Sequence, residues 1–369
     1  MLTVTTARPR TGAPPAPALP KAGPQWFGSV MGTSILATLL QLHHDRLPGA
    51  TYAARALLLV GWVVCLGLSI GFARRCLTTP GTLAGTVRDP KVLVTWGMVS
   101  MGVLSAGSAT ATVLPAWVPR LTDLSWRVDE VTWVLGTLLG VGTAIGFLLV
   151  LLRRDIGEPA MTWGLAVVSP MVSATVGAGI AHRLGDPWRT GLVLASSLCF
   201  VVALLLGVVI FAVAYNHHWR VRPLTPVMAP SAWIPLGIVG QSTAAAQVLV
   251  TAATPELTRG AATALRGIVN AYGLVLLVVG AGLVAWAVWQ TLRGFAARMP
   301  FTPGWWAMTF PVGTLSLGAY QLAAGAGSEA LSLLGVLVCV GLVGTWSLCA
   351  GATARALLRS SRAPAGSAR

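Results

Sequence analysis

Apolar residues run through this chain in stretches of about twenty, the length a helix needs to cross the hydrocarbon core of a bilayer. The pattern predicts ten such spans, at residues 26–42, 53–73, 92–114, 131–152, 161–181, 190–215, 232–252, 268–291, 305–323 and 330–356. They alternate in kind. The odd spans collect small and hydroxyl residues, from Gly28, Gly32, Thr33 and Ser34 in the first, through Ser100 and Ser105, Ser169, Ser173 and Thr175, and Gly240, Gln241 and Ser242, to Thr309, Gly313, Thr314 and Ser316 in the ninth. The even spans are branched aliphatic, as at 57–60, 148–152, 201–206 and 274–279. Lipid tolerates the second kind best, whereas hydroxyls and exposed backbone favour protein contact or a water-filled path. The expected fold is an all-α membrane protein of ten transmembrane helices, arranged as five helical hairpins around a central pore.

Proline adds a local prediction. Pro311 lies near the middle of an apolar stretch and cannot donate to the carbonyl of Ala307, so the helix is expected to kink there; Pro170 is a second kink, and Pro235 suits a first turn. Phe310 beside the kink is the candidate plug of the pore, against the plainer reading of a core phenylalanine. Gly32, Thr33, Ser34, Ser169, Ser173, Gln241, Thr309, Gly313 and Ser316 are the candidate lining and substrate-binding residues; for Gln241 an inter-helix hydrogen bond explains the position equally well.

Composition confirms the solvent. Hydrophobic residues make up 55% of the 369 and charged residues 9%, against roughly 25% charged in soluble domains. One transmembrane domain is expected over 25–356, between disordered basic tails at 1–24 and 357–369, and the first tail has no apolar run that could form a signal-peptide core. Seventeen of the 25 Lys and Arg residues fall on the side of the two termini, with only Asp89, Asp155 and Glu158 as acids there. By the positive-inside rule both termini are cytoplasmic, in a multi-pass protein of the cell membrane. The net charge of +15 therefore reports topology, and a nucleic-acid partner is not expected.

No Asp, Glu, Lys or Arg lies near the middle of a predicted span, which argues against an intramembrane proton relay or a voltage sensor of buried arginines. Anions would be held by hydroxyls, backbone N–H groups and the positive field at the cytoplasmic mouth. His43-His44 and His217-His218 stand at span ends and read as interfacial, and His182 follows the fifth span. The five cysteines have neither metal nor redox spacing, so no metal and no cofactor is expected. Gly136, Gly140, Gly142 and Gly146 read as two small-residue packing faces rather than a dinucleotide loop. Tryptophans such as Trp117, Trp188, Trp305 and Trp306 read as interfacial anchors. Catalytic groups at membrane depth are missing, so an enzyme is not expected.

Two segments carry a resemblance. Pro24-Gln25-Trp26-Phe27 with Val30-Met31-Gly32-Thr33-Ser34-Ile35, and Trp305-Trp306-Ala307-Met308-Thr309-Phe310-Pro311-Val312-Gly313-Thr314, resemble the tellurite-resistance/dicarboxylate transporter family. That family includes malate permeases, sulfite efflux pumps and slow anion channels. Ser34 stands where the family pattern has glycine. The resemblance implies five hairpins around a pore, a homotrimer with one pore per subunit, and occlusion by an aromatic that matches Phe310. The function expected is a transporter of small anions or weak acids, a C4-dicarboxylate such as malate or sulfite, with efflux the expected direction. The alternative is a passive anion channel for chloride or nitrate, gated by the same aromatic.

Overall fold

The computed structural model describes residues 19–362 and contains helices and turns, with no strand among the described residues. The outer parts of the expected tails, 1–18 and 363–369, lie outside the described residues. Residues Pro24–Trp26 form a 3-10 turn, and the last helix continues to Arg362, past the expected end at 356.

Ten principal helices follow one another: α1 (Phe27–Leu42), α2 (Ala50–Thr78), α3 (Trp96–Trp117), α4 (Thr122–Arg153), α5 (Gly164–Ala181), α6 (Trp188–Asn216), α7 (Ile234–Ala253), α8 (Arg259–Ala296), α9 (Phe310–Ala326) and α10 (Glu329–Arg362). Two short helices, Thr82–Arg88 and Pro90–Leu93, fill the connection from α2 to α3. All but α1 and α9 are long and apolar enough to cross a membrane, giving eight candidate spans. At 16 and 17 residues, α1 and α9 are about 24–26 Å long at 1.5 Å per residue. The first and ninth predicted spans are thus met by shorter helices, each preceded by a 3-10 turn.

The odd helices touch one another in a closed ring: α1 against α3, α3 against α5, α5 against α7, α7 against α9, and α9 back against α1. Each even helix packs on the odd helix before it in the ring and on the next one as well, so that α2 lies over α1 and α3, and α10 over α9 and α1. Burial follows this division. The apolar windows of α3, α5 and α7 are 72–83% buried, while those of α2, α4, α6, α8 and α10 are 17–28% buried. The alternation of small and branched residues has this cause: residues without bulk let inner backbones approach, and branched aliphatics cover the outside.

Helices α7 and α9 approach closely. A Cβ on Gly240 would overlap the backbone of Thr314 and Leu315, so only glycine fits there. Gly136 and Gly140 likewise receive Leu104 and the Ser100 and Ser169 hydroxyls, whereas Gly142 and Gly146 face open space. The expectation of two packing faces on α4 is corrected to one, because 142 and 146 lie on the side of α4 turned away from the ring. Gly240→Ala is expected to cost about 1–3 kcal/mol or more by overpacking, while Gly142→Ala is neutral or gains up to about 1 kcal/mol of helix propensity. Thermal unfolding in detergent distinguishes the two.

Three further expectations change. Pro311 is not a mid-helix kink: the break falls at Thr309 (φ −104°, ψ −66°), and Pro311 sits in the first turn of α9, where its missing N–H costs nothing. Pro170 lies inside the continuous helix α5, and Pro235 is in the first turn of α7. Trp305 and Trp306 are buried rather than interfacial, and the Trp306 indole donates to Thr353 Oγ1 on α10 at 3.1 Å. His43 is buried as well, edge-on to Tyr320, with Nε2 3.4 Å from Ser316 Oγ; burial and the nearby Arg46 both hold it below the usual histidine value.

Candidate functional site

Each inner helix is entered through a short turn: Pro24–Trp26 before α1, Pro90–Leu93 before α3, Met161–Trp163 before α5, Pro226–Trp233 before α7 and Pro303–Met308 before α9. The turns before α5, α7 and α9, together with the first two helical turns of all five inner helices, meet around one cavity of about 220 Å³. Gly28 and Met31 come from α1, Met98 and Met101 from α3, Leu165 and Val168 from α5, Ile234 and Gly237 from α7, and Phe310 and Pro311 from α9. All five inner helices therefore present their N-terminal ends at this cavity. An N-terminus carries roughly half a positive charge and unsatisfied N–H groups, which favour an anion.

The lining holds no charged residue. Its hydroxyls are those of Thr162, Ser231 and Thr302, and Ser231 Oγ is already spent on the carbonyl of Met228 at 2.7 Å. Phe310 is 5% exposed and is the first residue of α9. Beyond it the ring is closed by packing, with Ile35 seated against Gly313 and Gly240 against the backbone of α9.

Charge is distributed unequally between the two ends of the bundle. At the far end, acids meet arginines: Arg46 with Glu329 at 2.7 Å, Arg127 with Glu130 at 3.1 Å, Arg183 with Asp123 at 3.5 Å, and Arg189 with both Asp186 and Glu256. The hydrogen bond from Arg46 holds Glu329 below the usual carboxylate range. At the cavity end, among the described residues, the ion pairs are those of Glu158 with Arg222 and His217. The Arg222 hydrogen bond holds Glu158 low in the same way. Arg74, Arg75, Arg153, Arg154, Arg220 and Arg298 stand at this end without an acidic partner, so the field at the mouth is positive.

Of the residues predicted to gate, line or kink the pore, Phe310 and Pro311 line the cavity, and Gly28 and Trp306, noted in the sequence for other reasons, line it too. The others lie in helix contacts. Gly32 packs on Thr309, whose hydroxyl donates to the Trp306 carbonyl at 2.7 Å. Thr33 Oγ1 accepts from the Trp346 indole at 2.9 Å, and Ser34 faces Gly61 of α2. Ser169 shares a hydrogen bond with Ser100, and the Ser173 carbonyl accepts from the Trp133 indole at 2.9 Å. Gln241 Nε2 donates to Thr175 Oγ1 at 2.8 Å, and Ser316 Oγ donates to the Gly335 carbonyl at 2.7 Å.

Met98, Met101 and Val168 were not singled out in the sequence. A repeat marks where they stand. Tryptophans 26, 96, 163, 233 and 305 each follow a proline within six residues and stand at or before the start of an inner helix, and Gly28, Gly97, Gly164 and Gly237 come directly or shortly after four of them. Cavity residues cluster behind this signature because proline ends one element and the glycine admits a neighbour.

A ring of inner helices, a cover of apolar outer helices and an apolar cavity free of charged side chains define a membrane protein with an internal cavity at one end of its helix ring. The SLAC1 family, described as voltage-dependent anion channel, matches residues 21–354, and the chain belongs to it. This is a family of transporters and channels, not of enzymes, and is the group that the two sequence segments resemble. The chain is 26% identical over 342 residues to the sulfite efflux pumps SSU1 of Arthroderma benhamiae and Trichophyton rubrum, covering 88% of each chain. It is 23% identical over 304 residues to an uncharacterised transporter of Methanocaldococcus jannaschii, covering 79% of this chain and 80% of that one.

Proposed function

We propose that this protein is a multi-pass transporter of the cell membrane that moves small monovalent anions of weak acids outward, with bisulfite as the preferred cargo. Its ten helices act as ten spans, in five hairpins around one conduction path, with both termini cytoplasmic and Phe310 as the occluding residue. Three copies assemble through the exposed aliphatic faces of the outer helices, as in the family that the sequence resembles. The observation that carries this reading is the cavity itself, lined from the N-terminal turns of the five inner helices, free of charged side chains and bordered by Phe310. Desolvation cost grows with the square of charge, so a dianion pays about four times what a monoanion does to enter an apolar vestibule. That favours bisulfite over the malate dianion, and the sulfite pumps among the relatives support the same choice. The second reading, a passive chloride or nitrate channel closed by the same aromatic, is favoured by the absence of any charged group in the lining that could bind cargo tightly.

Proteoliposomes loaded in parallel with sulfite, malate or chloride separate these. Saturable sulfite efflux at least about tenfold faster than malate, equivalent to about 1.4 kcal/mol of barrier, is the expected result. Large unsaturated chloride flux would move the assignment to the channel, and malate efflux equal to that of sulfite would contradict the charge argument.

A further inference from the structure

The sequence reading finds no Asp, Glu, Lys or Arg near the middle of a predicted span, and the structure adds a buried acid just outside one of those windows. Helix α4 begins at Thr122, well before the apolar window at 131, and carries Asp129 two turns in. Asp129 is 3% exposed, and its Oδ1 has no hydrogen-bond partner. The side chain is turned toward the ring: a Cβ on Gly107, in the middle of α3, would lie 2.9 Å from Oδ1.

Nothing near Asp129 neutralises it. Helices α3 and α5, which flank α4, carry no Asp, Glu, His, Lys or Arg. On α4 itself Glu130 is held by Arg127 and Asp123 by Arg183, which follows the end of α5 beside the exposed His182; Arg120 is exposed. Arg55, in the second turn of α2, stacks on Tyr52 and on Trp117 at the end of α3. None of these forms an ion pair with Asp129. The nearby hydroxyls are committed to backbone, Thr132 Oγ1 to the Asp129 carbonyl at 3.0 Å and Ser125 Oγ to that of Thr122 at 2.6 Å. A carboxylate sealed here would lose its hydration and gain no cation and no donor.

We propose that Asp129 is a proton-binding site: the seam between α3 and α4 closes on the carboxylic acid, and release of that proton to the outer solvent puts a bare charge against Gly107 and opens the seam. One proton binds one carboxylate oxygen, and no electron moves. The extracellular side of the site rests on the topology proposed above, and the consequence is that transport slows as external pH rises, because α3 belongs to the ring that bounds the path.

Infrared difference spectra of the full chain in detergent test the site without transport. Every ordinary Asp and Glu is ionised above about pH 6, so a protonated-carboxyl band that persists at neutral pH and fades only in more alkaline solution belongs to a buried acid. The wild type is expected to show this band, and both Asp129→Asn and Asp129→Ser to lack it. A wild type with no such band overturns the proposal, as does a band that survives in both variants. Should both variants fail to fold, the wild-type band and a melting temperature that falls with rising pH while the band persists and levels off once it has faded decide. In proteoliposomes, wild-type sulfite efflux is expected to fall as external pH rises, and that of Asp129→Asn to stay level. An Asn variant with the wild-type pH profile overturns the link to transport. If the wild type moves no sulfite, the transport reading fails, and the infrared result alone decides the proton site.

Discussion

Replacing Phe310 with alanine is expected to raise sulfite flux on the order of tenfold, the equivalent of about 1.4 kcal/mol removed from the barrier. Phe310 is the first residue of α9, it borders the cavity at the N-terminal ends of the five inner helices, and the ring behind it is closed by packing. Removing the ring of Phe310 extends the cavity toward that closure. A phenylalanine serving the core alone would cost about 3–5 kcal/mol on truncation and lower the yield of folded protein. Because Phe310 already faces a cavity on one side, its loss is expected to sit at the lower end of that range. Flux measured together with melting temperature separates the two roles: a gate gives higher flux with a modest loss of stability, and a core residue gives the reverse.

The opposite perturbation is available at Gly237. This glycine lines the same cavity from α7, and the nearest atom to a Cβ built there is Pro311 Cγ at 3.9 Å, ordinary van der Waals contact. A larger side chain at 237 therefore enters the cavity instead of colliding with a helix. Gly237→Phe is expected to leave the fold intact and cut sulfite flux at least about tenfold. The contrast with Gly240, three residues along the same helix, is physical: at 240 the backbone of α9 occupies the space, and at 237 the cavity does.

The division into inner and outer helices was legible because it has a compositional cause. Close packing of backbones demands small residues on the odd helices, and lipid demands aliphatic ones on the even helices. The pairing of Phe310 and Pro311 was legible from the motif. The remaining lining was not. Met31, Met98 and Met101 look like any apolar residue until five helices bring them to one place, and the repeated proline and tryptophan ahead of each inner helix was the available signal. Hydroxyls misled in a specific way. Ser and Thr at membrane depth satisfy carbonyls, indoles and hydroxyls of neighbouring turns and helices, as Ser316, Thr33 and Ser169 respectively do, so their polarity marks helix contacts and not the cavity wall. Asp129 escaped notice because an apolar window ends at a charge, whereas the helix that contains it does not.

The central claim is that anions pass through the cavity shared by the five inner helices. Initial rates of sulfite efflux from proteoliposomes of equal protein content, for Gly237→Phe, wild type and Phe310→Ala side by side, test it most directly. Flux lowest in the first, intermediate in the second and highest in the third is the predicted order. Equal flux in all three, with all three folded, would place the path elsewhere and contradict the account.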